Sequence, residues 1–204
     1  MYIPAPFAEI RPDVLHALMR EHPFATLVTT DAAGLPSATH LPLLLDPGRG
    51  PHGTLIGHIA RPNPQAAALA AGRVALAMFH GPHAYVSPTW YATAPAVPTW
   101  NYAAVHAYGV PRVVEDPAGV RALLETTVKA FEAPGSNWSI DGLPPQYLES
   151  MTAGVVAFEM PVDRLEGKFK LNQNRSTADR AGVSAALANG DAQAKATVKL
   201  MVPS

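Results

Sequence analysis

The chain has no cysteine, so disulfides and thiolate metal sites are excluded. It has no excess of positive charge. Basic residues number 15 against 16 acidic ones, which argues against the electrostatic grip that nucleic-acid binding needs, although a local basic patch stays compatible. It has no apolar run long enough to cross a bilayer. Its start, Met1-Tyr2-Ile3-Pro4, offers neither a basic region nor an apolar core, so it does not read as a signal peptide, and a cytoplasmic location is expected. There is no G-x-S-x-G elbow, no P-loop, no paired catalytic carboxylates and no basic helix-turn-helix. Nothing therefore demands a hydrolase, a kinase or a sequence reader.

Hydrophobic residues make up 48% of the 204 positions, enough for a proper core in one domain. Residues 11–22 read as a short helix ended by Pro23. FATLVTT (24–30) and LPSATHLPLLLD (35–46) read as a hairpin around the turn DAAG. PGRGPHG (47–53) matches G-x-G-x-x-G, but TLIGHIA (54–60) after it reads as a strand. A dinucleotide fingerprint needs a helix there, so the match is a glycine-rich hairpin loop. A short helix follows, with Asn63 as cap, Pro64 as first residue and Gly72 as stop. RVALAMF (73–79), residues 103–116 and 155–171 read as extended, and 117–133, 146–154 and 176–190 as helices. Strands, six or seven in number, dominate without regular alternation with helices. This favours an antiparallel barrel with flanking helices over a doubly wound sheet.

Aromatic residues are only 7% of the chain. Yet YVSPTWYATAPAVPTWNY (85–102) holds two of the three tryptophans and three of the six tyrosines. Its prolines prevent one continuous helix or central strand. Tryptophan and tyrosine in irregular chain line pockets and interfaces, or pack as a lid, and the readings are compatible. In GHIARPNPQ (57–65), Arg61 and the helix start suit an anion, with His58 one strand turn earlier; an ordinary capped helix reads the same way. In KFKLNQNRS (168–176), Lys168 and Lys170 share a side, and Gln173 and Asn174 carry carboxamides that either bond a heteroaromatic edge or cap a loop. His80 and His83 form H-x-x-H across Gly-Pro without a nearby carboxylate, so no metal site is expected.

These motifs carry a resemblance. MYIPAPF, GHIARPNPQ, GPHAYVSPTWY, VPTWNYAAVHAYG and KLNQNRS occur in the order of the PaiB-type family, described as FMN-binding negative transcriptional regulators, over residues 1–188. The resemblance implies a mainly β fold with helices, a six-stranded antiparallel Greek-key split barrel of the FMN-binding type. It implies one domain over 1–204, with 176–204 flanking the barrel. It implies FMN as cofactor, bound between the subunits of a homodimer. Carried over by position, the cofactor-binding residues would be His40, His58, Arg61, Asn63, Trp100, Asn101, His106, Lys170, Gln173 and Asn174. The family label brings DNA as a partner, which the charge balance does not support. An FMN-dependent oxidoreductase and a haem-binding protein using His83 or His106 stand as alternatives. The resemblance departs at Ala92–Ala96, which is short and uncharged where the family pattern is longer and basic.

Overall fold

A computed structural model describes residues 1–201. In chain order its strands and helices are β1 (Ala8–Glu9), α1 (Pro12–Glu21), β2 (Phe24–Thr30), β3 (Pro36–Pro42), β4 (Leu44–Asp46), β5 (Thr54–Ala60), α2 (Gln65–Ala70), β6 (Ala75–Val86), β7 (Thr99–Gly109), β8 (Arg112–Val113), α3 (Pro117–Phe131), α4 (Pro145–Ala153), β9 (Val155–Lys170), α5 (Thr177–Ala188) and α6 (Ala192–Met201). Hydrogen-bonded neighbours run β3-β2-β6-β7-β9-β5-β4, and β1 and β8 both pair with β9. The sheet has nine strands rather than the six expected. Two of the extra strands, β1 and β8, are two-residue pieces. The third arises because residues 35–46 are not one strand. The run breaks at Leu43, whose N–H turns to the Pro23 carbonyl at 2.9 Å, and β4 then pairs with β5 instead of β2.

The chain divides into two compact units. One comprises Met1–Leu18, Phe79–His106 and the described residues from Glu166 on; the other comprises Met19–Met78 and Ala107–Leu165. In the second unit, β2 alternates as its sequence requires: Ala25, Leu27 and Thr29 are buried, and Phe24, Thr26, Val28 and Thr30 face outward. The β4–β5 connection is the glycine-rich loop read from the sequence, with Gly50 and Gly53 at φ of 82° and 89°. A strand, β5, follows it where a dinucleotide fingerprint needs a helix.

Gln65, fully buried, ties this unit together. Its amide nitrogen donates to Leu27 O (3.2 Å), Thr29 Oγ1 (3.0 Å) and Ser37 O (3.0 Å). Its amide oxygen accepts from Thr39 Oγ1. The first residue of α2 therefore holds both strands of the β2–β3 hairpin. In the first unit, Ala8 and Glu9 of β1 pair with Lys168 and Gly167 of β9. Here α5 is capped by Ser176, whose Oγ accepts from Asp179 N at 3.1 Å. The residues after Gly190, read from the sequence only as an alanine-rich tail, form α6.

Replacing Gln65 with leucine should remove the amide from the buried Leu27 carbonyl and Thr29 hydroxyl and from the part-buried Ser37 carbonyl. A loss of about 2–3 kcal/mol is expected by urea denaturation. Unchanged stability would show that the hairpin does not need this amide.

Candidate functional site

In the first unit an open cleft of about 340 Å³ is lined by His80, Gly81, His83, Trp100, Tyr102 and Ala103. A change of burial phase along β6 builds one wall. Gly81 and Pro82 are buried in succession, so His80, His83 and Tyr85 all come to the exposed side, which simple alternation forbids. Gly81 has little room for a side chain: an added Cβ would lie 2.9 Å from Leu18 Cδ1 and 3.2 Å from Ala103 O. The H-x-x-H pair is thus carried within one strand rather than across a turn.

Trp100, 52% exposed, is the centre of the cleft. Tyr85 meets it edge-on at 6.0 Å and 75°, and His83 lies tilted at 6.2 Å. Lys170 fixes the start of β7, donating to Trp100 O at 2.8 Å and to Thr99 Oγ1. Burial, and then the charge of Lys168, holds the Lys170 ammonium below its ordinary pKa. Lys168 lies 5.4 Å from the Tyr102 ring and donates to Tyr2 O at 3.0 Å. An aromatic recess beside two ammonium groups stacks a planar ring and favours negative charge on its edge.

The other candidate residues of this unit lie on β7 and in the turn after β9. Asn101 is fully buried on the opposite side of β7 from Trp100, and its amide donates to Met201 Sδ at 3.6 Å. His106 is half-buried on β7 and held below its ordinary pKa, chiefly by burial. Gln173 shapes its own turn: its amide donates to Phe169 O at 2.5 Å and accepts from Leu171 N at 2.8 Å. Asn174 is exposed. In this turn Asn172 takes φ 63°, a left-handed value that asparagine tolerates.

The second unit carries the remaining four. His40 is exposed, bonded to Thr26 Oγ1 at 3.0 Å and stacked on Phe24 at 6.4 Å. His58 is half-buried on β5, and burial lowers its pKa. Arg61 donates to Ala153 O (2.5 Å) and Val155 O (2.7 Å), joining the end of α4 to the start of β9. Asn63 donates to Thr39 Oγ1 and accepts from Gln65 N, both at 2.9 Å. The N–H groups after Pro64 are therefore partly satisfied by Asn63 itself, and α2 begins at Gln65 with Pro64 at the cap. At the corner expected to cradle an anion, Asn63 thus occupies the first N–H, that of Gln65.

Comparison with known proteins completes the picture. The domain family described as "Putative FMN-binding domain" matches residues 1–164. The chain belongs to this family. A relative from Bacillus subtilis (strain 168), protease synthase and sporulation protein PAI 2, is 38% identical, covering 98% of this chain and 96% of its own. An uncharacterized protein of Emericella nidulans is 32% identical over 93% and 91%. Among solved structures, the flavocytochrome Anf3 from Azotobacter vinelandii superposes with a TM-score of 0.65 at 15% identity, covering 86% of this chain and 75% of that one. The FAD and heme binding protein from Mycobacterium smegmatis gives 0.56 at 17% identity, over 90% and 80%. These likenesses carry the fold, which is the split-barrel class expected from the sequence. The PaiB-type resemblance holds over nearly the whole chain, and FMN is the cofactor of the family. The residues of the cleft fit its ring: an uncovered tryptophan for stacking, with ammonium groups near the edge.

Sequence reasoning does not single out Tyr102 or Gln65, and it notes Lys168 beside Lys170 without placing it among the cofactor-binding residues. The parity of Trp100 and Tyr102 on one strand was the available signal for the first.

His58 and His106 have folded pKa values below the ordinary 6.5 because burial penalises the imidazolium. The folded chain then binds fewer protons than the unfolded one, so stability rises with pH across this window. The melting temperature should fall between about pH 8 and about pH 5.5, and His58→Gln should flatten the fall. An equal slope in that variant would remove His58 as a source.

Proposed function

We propose that this protein is a cytoplasmic FMN-binding homodimer that serves regulation through its flavin or a protein partner rather than by gripping DNA directly. The observation that carries the reading is the Trp100 cleft, with its stacked aromatic rings and the Lys170 ammonium. Trp100 and Tyr102 would stack the isoalloxazine, and Lys170 would balance charge at its edge. Bound FMN supplies hydride and single-electron transfer; the chain supplies orientation and charge. Arg61 retains guanidinium donors beyond the two carbonyls it serves, and is proposed as a phosphate ligand, with His40, His58 and Asn63 as further contributors. His106, Asn101, Gln173 and Asn174 are proposed as supports of the flavin-binding strands and turn.

The homodimer is supported by an uncovered sheet face. Phe24 is 68% exposed, and Thr26, Val28, Leu76 and Met78 are half-buried on the same side. A face of this kind is the surface a second copy would cover. The regulatory reading rests on the family label and on the B. subtilis relative, named for protease synthase and sporulation. The near-neutral charge, 15 basic against 16 acidic, favours an indirect route.

The purified protein should take up FMN and keep a flavin absorption band after desalting. Trp100→Ala should lose that band. Arg61→Ala should weaken FMN binding by about 1.5–3 kcal/mol if it holds the phosphate. A wild-type protein that stays colourless after loading would overturn the reading. Sedimentation should give a dimer that Phe24→Asp converts to monomer. Salt-sensitive, sequence-specific DNA retardation by the protein alone would refute the indirect route.

A further inference from the structure

We propose that Asp179, on α5, is a positioning residue for the flavin cleft: its buried carboxylate pins the aromatic, proline-rich segment that joins Tyr85 to Trp100. The proposal rests on the cleft being the flavin site. It concerns a helix outside the 1–164 stretch matched by the family.

The segment between β6 and β7 begins with a short 3-10 turn, Pro88–Trp90, and then runs irregularly to Thr99. It has no strand partner to fix it, and alanine and proline at 92, 94, 95 and 96 leave Thr93 as the one polar side chain of that stretch. It is held from outside instead. Asp179 is 2% exposed. Its Oδ1 accepts from Thr93 N at 3.0 Å, and its two oxygens accept from Thr93 Oγ1 at 3.1 and 2.9 Å. Thr93 is thus gripped through backbone and side chain together. One helical turn further, Gly182 lies against the Trp90 carbonyl so closely that a Cβ there would collide with it. Just before α5, the Arg175 guanidinium sits 4.6 Å over the Tyr91 ring.

Three residues about a helical turn apart, Arg175, Asp179 and Gly182, therefore hold residues 91, 93 and 90. Lys170 holds Thr99 and Trp100 at the other end. Between the two anchors the chain has little freedom to carry Trp100 away from Tyr85, so their edge-to-face contact at 6.0 Å is set in advance. A pre-set ring wall binds a planar ligand without ordering cost. Releasing the anchor should shorten the time the ligand stays bound more than it slows capture. The anchor also accounts for the uncharged Ala92–Ala96 link, which is fixed by a helix rather than by charges within it.

The experiment compares wild type with Asp179→Ala, Asp179→Asn and Thr93→Val. Each is measured by near-UV circular dichroism without FMN and by FMN dissociation rate, with far-UV dichroism as the check on folding. Asp179→Ala should lose aromatic near-UV signal at unchanged helix and strand content, and should release FMN about tenfold faster, equivalent to about 1.4 kcal/mol. Asp179→Asn keeps an acceptor for Thr93 N and should recover most of both. Thr93→Val should fall between. The proposal is overturned if Asp179→Ala leaves the near-UV signal unchanged, or changes it while FMN leaves at the wild-type rate. If Asp179→Ala fails to fold, Thr93→Val decides by the same two readouts. A wild type that binds no FMN refutes the flavin reading and the positioning role with it, whereas a wild type that binds FMN and a variant that releases it normally refutes the positioning role alone.

Discussion

A strand that alternates faithfully cannot bring side chains three positions apart to one face. β6 does so between His80 and His83 because two buried residues, Gly81 and Pro82, stand in succession. Proline contributes no N–H to the ladder, and a Cβ at Gly81 would make Leu18 and Ala103 give way. This single slip in phase puts the His83 imidazole and Tyr85 beside Trp100, on the side His80 already faces. Without it, His83 and Tyr85 would enter the core, where an imidazole and a phenol would each need a partner. The cleft is therefore a property of backbone register before it is a property of aromatic residues.

The motifs with the clearest chemical look turn out to serve two masters. Arg61 joins α4 to β9 through two carbonyls, Asn63 caps α2 and reaches Thr39, and Gln173 closes its own turn. A guanidinium has five donors, so Arg61 can meet two carbonyls and still face an anion. A carboxamide has fewer, and Asn63 and Gln173 each already give one N–H to the chain and keep one. The division separates residues able to touch a ligand from residues that shape the chain near it. Gln65 stands at the far end of that division: four hydrogen bonds and 2% exposure leave it a purely internal role.

Much of the fold was legible because its signals are local. The alternation in 24–30, the glycine-rich hairpin loop and the helix at α3 each depend on a few neighbouring residues. The break at Leu43 was not legible, since it is decided by the Pro23 carbonyl and by the pairing of β4 with β5, both remote in sequence. The α6 helix was hidden because an alanine-rich stretch has helical propensity but little amphipathic pattern. In the site, Trp100 and Lys170 stood out by type and motif, and they do meet. Asn101, one residue from Trp100, faces the other way for the same reason that made Trp100 readable: neighbours on a strand point to opposite sides. The phase change, a cooperation of Gly81 with Leu18 and Ala103, has no signature beyond a Gly-Pro pair that also reads as a turn.

Irregular chain at a binding site raises a general difficulty. It can follow a ligand's outline, but it pays in entropy for every residue that must be ordered. A sheet solves this with ladder hydrogen bonds, which the prolines between Val86 and Thr99 preclude. Here the ordering comes from neighbours on either side: Lys170 at the end of β9 and Asp179 in the first turn of α5. Both are charged groups bonded to neutral donors or acceptors, the stronger kind of hydrogen bond. Their opposite signs suit their partners, since the ammonium takes a carbonyl and a hydroxyl oxygen, and the carboxylate takes an N–H and a hydroxyl. Neither needs the other for charge balance, so the segment is held at two points whose energies are separable.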